Sequence, residues 1–146
     1  MISFICRFSL VIVSLLTLAG CSIEPKPIEY GKDACAHCMM NIVDDQHAAQ
    51  LVTDKGKVYK FDAIECMVNE LKEEVNTEYA YQLVCDFNTP GDLIDAHTAF
   101  YLISENLPSP MGAYLSAFSG QPQADSALAQ FSGELHSWDE LFVILR

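Results

Sequence analysis

The sequence predicts an α+β domain of mainly antiparallel strands with helices packed on one face. Short β-forming segments alternate with turn residues, and two segments begin with patterns typical of helix N-termini. The elements follow the order β-β-α-β and then β-β-α, which suggests two small ββα-type units, although no residue-level repeat is visible. With 51% hydrophobic and 19% charged residues, the chain of 146 residues is not a disordered protein.

The first twenty residues predict a signal peptide. Arg7 precedes an apolar run at 10–18, which is shorter than the roughly 20 residues that span a bilayer. The run ends in Leu-Ala-Gly-Cys at 18–21, which resembles a bacterial lipobox. We therefore expect cleavage before Cys21, lipidation of Cys21 and anchoring on the periplasmic side of a bacterial membrane, with Ser22 favouring the outer membrane. An ordinary signal peptide or an anchor helix is the alternative.

The predicted elements of the mature chain follow a lipid anchor and tether at 21–32, and the predicted domain occupies 33–146. Strands at 48–53 and 58–61 flank a turn at 54–57. Asp62 and Glu65 have the spacing of a capping box, so we expect Asp62 to cap a helix. The apolar stripe of that helix consists of Ile64, Met67, Val68, Leu71 and Val75.

The second half of the chain continues this pattern. Strands are predicted at 79–87, 93–96, 99–104 and 115–118. A helix is predicted at 122–131, with Gly133 ending it, and a capping box that begins at Ser137 predicts a short terminal helix.

The segment that indicates chemistry is Cys35-x-x-Cys38-x-Met40. Two thiols at this spacing can turn toward one point, and the thioether of Met40 can reach the same point. Such soft donors favour Cu(I), which accepts two or three ligands. His37 and His47 are nearby nitrogen donors. Met111, after a proline-rich loop, is a candidate extra thioether ligand or a core residue.

Other uses of a C-x-x-C motif stay open at this point. The motif also serves thiol-disulfide oxidoreductases, zinc sites and structural disulfides. The flanking residues do not predict the strand and helix of a thioredoxin-like site. Zinc would need four ligands, and Cys66 and Cys85 could complete an all-cysteine set, but we expect these two to be buried free thiols in a helix and a strand. No hydrolase motif or phosphate-binding loop is present.

The net charge of −12 bears on the partners of the chain. Twenty acidic residues against eight Lys and Arg residues repel phosphate, so we expect no nucleic-acid partner.

The chain resembles the NosL family between about residues 33 and 142. The resemblance rests on Cys35-x-x-Cys38-x-Met40-x-Ile42, Ala48-Ala49-Gln50, Lys60-Phe61-Asp62, Ile94-Asp95-Ala96, Pro110-Met111-Gly112 and Ala117-Phe118. It implies a membrane-anchored, non-enzymatic lipoprotein of α+β fold that binds Cu(I). The family delivers this copper toward nitrous oxide reductase or its membrane assembly complex. The family's thiols fall on Cys35 and Cys38 and its thioether on Met40, with a histidine as a further donor. Met39 stands where the family often has glycine.

Overall fold

The computed structural model describes residues 22–145, which form two antiparallel sheets and three helices. The predicted signal peptide and Cys21 lie outside the described residues. Of the helices in this part of the chain, none is both long and apolar enough to cross a membrane. The observed architecture confirms the predicted α+β class with mainly antiparallel strands.

The first unit is a four-stranded sheet with one helix. Strand β1 (Ala49–Thr53) pairs with β2 (Val58–Phe61), and the chain then enters helix α1 (Ile64–Glu73). Strand β3 (Tyr79–Cys85) returns to the other side of β1, and β4 (Leu93–Asp95) extends the sheet to the order β2-β1-β3-β4.

The second unit repeats this connectivity. Strand β5 (Phe100–Ile103) pairs with β6 (Leu115–Phe118), helix α2 follows (Gln121–Phe131), and β7 (Glu134–His136) pairs with the other side of β5. The terminal helix α3 (Trp138–Ile144) completes the fold. The repeat that the element order suggested is therefore present in topology, because each unit has its first strand at the centre.

Several local predictions were wrong. Strand β7 was not predicted, because its three residues include a single apolar side chain, Leu135. The first predicted capping box does not form: α1 begins after Ala63, with no side-chain cap. Val75 lies beyond the end of α1 and is exposed. The capping box at Ser137 is confirmed, since Ser137 N–H donates to Glu140 Oε2 at 2.7 Å.

The core lies mainly between the first sheet, α1 and α3. Its largest fully buried side chains include Phe61, Met67 and Tyr101, and Trp138 of α3 packs against it. A smaller cluster under α2 contains Leu102 and Phe118. The first core draws residues from both units, so the two sheets pack as one body.

The segment before the C-x-x-C motif is held on the domain surface. Gln50 Oε1 accepts from Lys26 N–H at 2.8 Å, and Gln50 Nε2 donates to the Lys26 carbonyl. Gly31 N–H donates to Ile42 O at 2.7 Å. Within the predicted tether, the residues from Lys26 onward therefore pack against the first unit, which the sequence did not indicate.

Candidate metal centre

A tight loop presents the C-x-x-C motif. Ala34 and Asn41 form an antiparallel bridge, and Cys35 N–H donates to Met40 O at 2.8 Å. The loop closes through Met39, whose φ of 65° lies in the left-handed region that favours glycine. This backbone conformation explains why the family often has glycine at the position of Met39.

Three thiols and one carboxylate meet beneath this loop. Cys35 and Cys38 come from the loop, Asp62 from the β2–α1 link and Cys66 from the first turn of α1. One ligand atom from each residue lies within 4.8 Å of the others. Cys38 Sγ donates to Asp62 Oδ1 at 3.4 Å, so the predicted helix cap instead faces the thiols.

The thiols differ in their exposure. Cys35 and Cys66 are buried, whereas Cys38 is half-buried and lies at the outer end of the cluster. A donor arriving from solvent would therefore meet Cys38 first.

The thiols also differ in acidity. A hydrogen bond from Cys66 lowers the pKa of Cys35 to about 6, helped by the backbone amides of Cys38 and Asp62. The same hydrogen bond raises the pKa of Cys66, and burial raises the pKa of Cys38. The lowered pKa favours the thiolate at Cys35, and a soft cation binding to the cluster would displace the remaining thiol protons.

A cleft of about 680 Å³ leads to the cluster. Its walls come from the motif loop, α1, the end of β5, the loop before β6 and residues 144–145. They are His37, Cys38, Glu65, Cys66, Asn69, Ile103, Met111, Gly112, Ala113, Ile144 and Leu145. Met111 of the second unit thus lies in the wall of a cleft that also contains Cys38 and Cys66.

Glu65 attaches the Met111 loop to α1. Its buried carboxylate accepts from Ser109 Oγ at 2.6 Å and from Ala113 N–H at 3.3 Å, both at Oε1. The capping role predicted for Glu65 is wrong because these longer-range partners occupy the carboxylate.

The sequence-predicted candidates fall into three groups. Cys35 and Cys38 are brought together, and Met111 lines the cleft. The side chain of Met40 is 54% exposed at the edge of the loop. His47 is not in the cluster: its Nδ1 lies 3.0 Å from Asp44 Oδ1 and its Nε2 lies 3.1 Å from Ser116 Oγ, so it bridges the two units instead.

The two remaining cysteines have different surroundings. Cys85 is a buried free thiol, as predicted, and lies 3.5 Å from the Tyr30 hydroxyl. Cys66 is also a free thiol, but it faces Cys35 in the cluster. The sequence analysis considered Cys66 as a completing ligand for zinc and favoured a buried free thiol, so the contact with Cys35 was not predicted.

The geometry disfavours one of the chemistries that the motif left open, that of a thiol-disulfide oxidoreductase. In disulfide oxidoreductases the attacking thiol is accessible and has a lowered pKa. Here the cysteine with the lowered pKa, Cys35, is fully buried, the accessible Cys38 has a raised pKa, and residues 36–38 form a turn. A set of three sulfur donors suits a soft cation, and Asp62 could complete a four-ligand zinc site.

Comparisons with known proteins identify the family and the fold of the chain. The family model described as NosL matches residues 27–142. A crystal structure of the copper chaperone NosL from Shewanella denitrificans is 22% identical in sequence, with a TM-score of 0.70. The match covers 82% of this chain and 96% of that one, which shows that the fold is shared. No curated protein matches the chain. From the length of the family match, the chain belongs to the NosL family.

Proposed function

We propose that the chain is a lipid-anchored copper chaperone that binds Cu(I) and passes it to a partner, and that it is not an enzyme. The observation that carries this proposal is the cluster of Cys35, Cys38 and Cys66, of which Cys38 and Cys66 line the cleft. Thiolates select a soft monovalent cation over the hard cations of the cell envelope. Membership of the NosL family supports the same function.

The proposed ligands are Cys35 and Cys38, with Cys66 as the third thiol that the fold brings to them. Met111 and Met40 are the proposed thioether donors, Met111 from the cleft wall and Met40 from the loop edge. Cu(I) needs only two or three of these donors, so coordination can change without loss of the ion.

The position of Cys38 suggests how copper is released. Cys38 is the most exposed of the three thiols and lines the cleft, whereas Cys35 and Cys66 are buried. A donor of the partner can enter the cleft, replace Cys38 on the ion and begin a stepwise exchange of ligands. A thiol donor gives its proton to the released Cys38 thiolate, and the resulting Cys38 thiol donates a hydrogen bond to Asp62 Oδ1.

The proposed partners and location follow from the family and the N-terminal sequence. Lipidation of Cys21 would hold the domain on the periplasmic side of the membrane, with Ser22 favouring the outer membrane. The proposed recipient is nitrous oxide reductase or its membrane assembly complex.

A competition titration tests the proposal. The reduced full-length chain, in detergent and without oxygen, is titrated with Cu(I) against a chromogenic chelator, and with Zn(II) in parallel. We expect one Cu(I) per chain and a severe loss of affinity in the double variant Cys35→Ser, Cys38→Ser. Full Cu(I) affinity in that variant, or a clear preference for Zn(II), would refute the proposal.

A matched pair of variants tests the role of Cys66. Cys66→Ser and Cys85→Ser each remove one buried thiol, but only Cys66 lies in the cluster. We expect Cys66→Ser to lower the Cu(I) affinity at least tenfold and Cys85→Ser to leave it unchanged. Equal affinities for the two variants would remove Cys66 from the ligand set.

The same preparation tests the oxidoreductase alternative. We expect the chain to reduce insulin disulfides at the background rate, because the acidic thiol of Cys35 is buried. Catalysed reduction that depends on Cys35 would contradict this.

A further inference from the structure

The N-terminal segment of the described chain lies on the face of the first sheet opposite α1. Side chains of a strand point alternately to its two faces. Ala49 and Leu51 of β1 belong to the core that α1 covers. Gln50 between them faces the other way, and its side chain bonds to the backbone N–H and carbonyl of Lys26. The segment is therefore packed against this face.

The proposed lipidation site adjoins the turn between β1 and β2. An added Cβ at Gly56 in this turn would lie 3.6 Å from the carbonyl oxygen of Ser22 and 4.0 Å from Ile23. Cys21 is bonded directly to Ser22. The side chain of Ile23 is 41% exposed, so an apolar group beside the attachment point faces outward. Acyl chains on Cys21 would therefore hold this turn close to the lipid surface.

Three exposed lysines surround the point of attachment. Lys55 and Lys57 flank Gly56 in the turn, and Lys26 shares with Gly56 the lining of an open groove of about 500 Å³. No acidic side chain of residues 22–145 forms an ion pair with any of the three. Their long side chains can therefore extend toward the phosphates of a lipid surface.

The charge of the chain is unevenly distributed with respect to this point. Residues 22–61 contain five lysines and six acidic residues, so this part is nearly neutral. Residues 62–146 contain fourteen acidic residues against one lysine and one arginine. An anionic leaflet attracts lysines and repels acidic surface within about one Debye length. Against such a leaflet, contact through the lysines of the first part is therefore favoured.

We propose that the anchor face, formed by residues 22–27 and the turn at 54–57, lies on the anionic phospholipid leaflet that holds the acyl chains. The proposal rests on the proposed lipidation of Cys21 and is independent of Cu(I) binding. The ammonium groups of Lys26, Lys55 and Lys57 contact lipid phosphates, and Ile23 enters the interface beside the acyl chains. The N-terminal segment thus orients the domain on the membrane, rather than lifting it off as a loose tether.

This orientation has a consequence for the candidate metal centre. The cleft is lined by Cys66 and Asn69 of α1, so it opens on the side of the sheet opposite the N-terminal segment. None of its lining residues belongs to the anchor face. A domain seated on the anchor face therefore keeps its cleft open to the aqueous compartment, and a partner reaches Cys38 without displacing lipid.

Lysine labelling of the lipidated full-length chain tests the orientation. The chain is placed in vesicles of phosphatidylcholine, with or without phosphatidylglycerol, and acetylated with uncharged N-hydroxysuccinimidyl acetate. Mass spectrometry measures the rate at each lysine and verifies the acyl chains on Cys21. We expect Lys26, Lys55 and Lys57 to react at least about threefold more slowly with phosphatidylglycerol present, and high salt to remove the difference. Lys72 of α1, on the other side of the sheet, should react equally in both.

Two variants with the same change of net charge separate the anchor face from a general charge effect. Lys55→Gln with Lys57→Gln removes two positive charges from the turn, and circular dichroism verifies its folding. Lys32→Glu makes an equal change outside the anchor face, at an exposed lysine that pairs with Glu29. We expect the first variant to restore fast labelling of Lys26 on phosphatidylglycerol. The second should leave Lys26 slow.

The opposite results would overturn the proposal. Equal labelling of Lys26, Lys55 and Lys57 on the two kinds of vesicle would show that the anchor face does not contact anionic lipid. Slower labelling of Lys72 as well, or equal effects of the two variants, would show a general charge effect. A chain without acyl groups on Cys21 would also overturn it, whereas the Cu(I) titration tests the metal centre independently.

Discussion

Glu65 connects the two units beside the candidate metal centre, and its replacement tests how the site is assembled. The carboxylate is 5% exposed. Oε1 accepts hydrogen bonds from Ser109 and from the amide of Ala113, whereas Oε2 is buried and has no partner within the described chain. These two hydrogen bonds join α1 to the loop that carries Met111.

The cost of Glu65→Ala follows from these contacts. Each hydrogen bond to a charged acceptor contributes about 1.5–3 kcal/mol, so losing both costs about 3–6 kcal/mol. Removing the unpaired Oε2 relieves a burial penalty of about 1–3 kcal/mol. The difference spans about 0–5 kcal/mol, and its middle, about 2–3 kcal/mol, is the expected net loss in the free energy of unfolding.

Glu65→Gln is the matched control. The amide has nearly the same shape, its carbonyl can still accept from Ser109 and Ala113, and its charge is gone. The variant weakens two hydrogen bonds, because their acceptor becomes neutral, but it also removes a poorly paired buried charge. The two effects oppose each other, so we expect the free energy of unfolding to change by less than about 1 kcal/mol. Guanidinium unfolding of the metal-free chain measures both variants. Equal destabilisation by alanine and glutamine would show that these hydrogen bonds do not hold the loop.

Three further predictions concern the backbone and the thiols. Met39→Gly should raise the free energy of unfolding by about 0.5–1 kcal/mol, because Met39 has a φ of 65° and an exposed side chain; a lower unfolding midpoint would contradict this. Gly133→Ala should lower the free energy of unfolding by about 2–4 kcal/mol, because Gly133 has a φ of 118° and an added Cβ would collide with the Ile103 carbonyl. An unchanged thermal midpoint would refute the packing of β7. The fold lowers the pKa of Cys35 to about 6, so between pH 6 and pH 9 the folded chain loses this proton while the unfolded chain keeps it. The free energy of unfolding should therefore rise from pH 6 toward pH 9. Urea titrations should show a flatter pH dependence for Cys35→Ser.

Elements with strong local patterns were predictable from the sequence. The strand pair around the 54–57 turn and the capping box at Ser137 depend on neighbouring residues, and both are observed. The capping box predicted at Asp62 and Glu65 has an equally good local pattern, yet it does not form. There the two carboxylates accept hydrogen bonds from distant partners, the Cys38 thiol and the Ser109 hydroxyl. Tertiary contacts therefore decided between two equivalent local patterns.

The candidate site was predictable only in its local part. Cys35 and Cys38 were identified because the C-x-x-C spacing is itself short-range. Cys66 was predicted to be a buried thiol, and it is buried, but its partner Cys35 lies 31 positions earlier in the sequence. Helical periodicity indicates which face of α1 is buried and not which loop covers it. The contact between α1 and the motif loop is therefore visible only in the folded structure.

Because the candidate ligands come from both units, Cu(I) binding and the packing of the two units can be tested together. Cys35, Cys38 and Cys66 all belong to the first unit, whereas Met111 comes from the second and is attached through Glu65. If the Met111 thioether binds Cu(I), ion binding and loop attachment are thermodynamically linked, and Glu65→Ala must weaken Cu(I) binding. If the thiols alone bind the ion, the same variant loses stability and keeps its full Cu(I) affinity. Measuring both quantities on Glu65→Ala, with Glu65→Gln beside it, therefore decides whether the copper site belongs to one unit or to both.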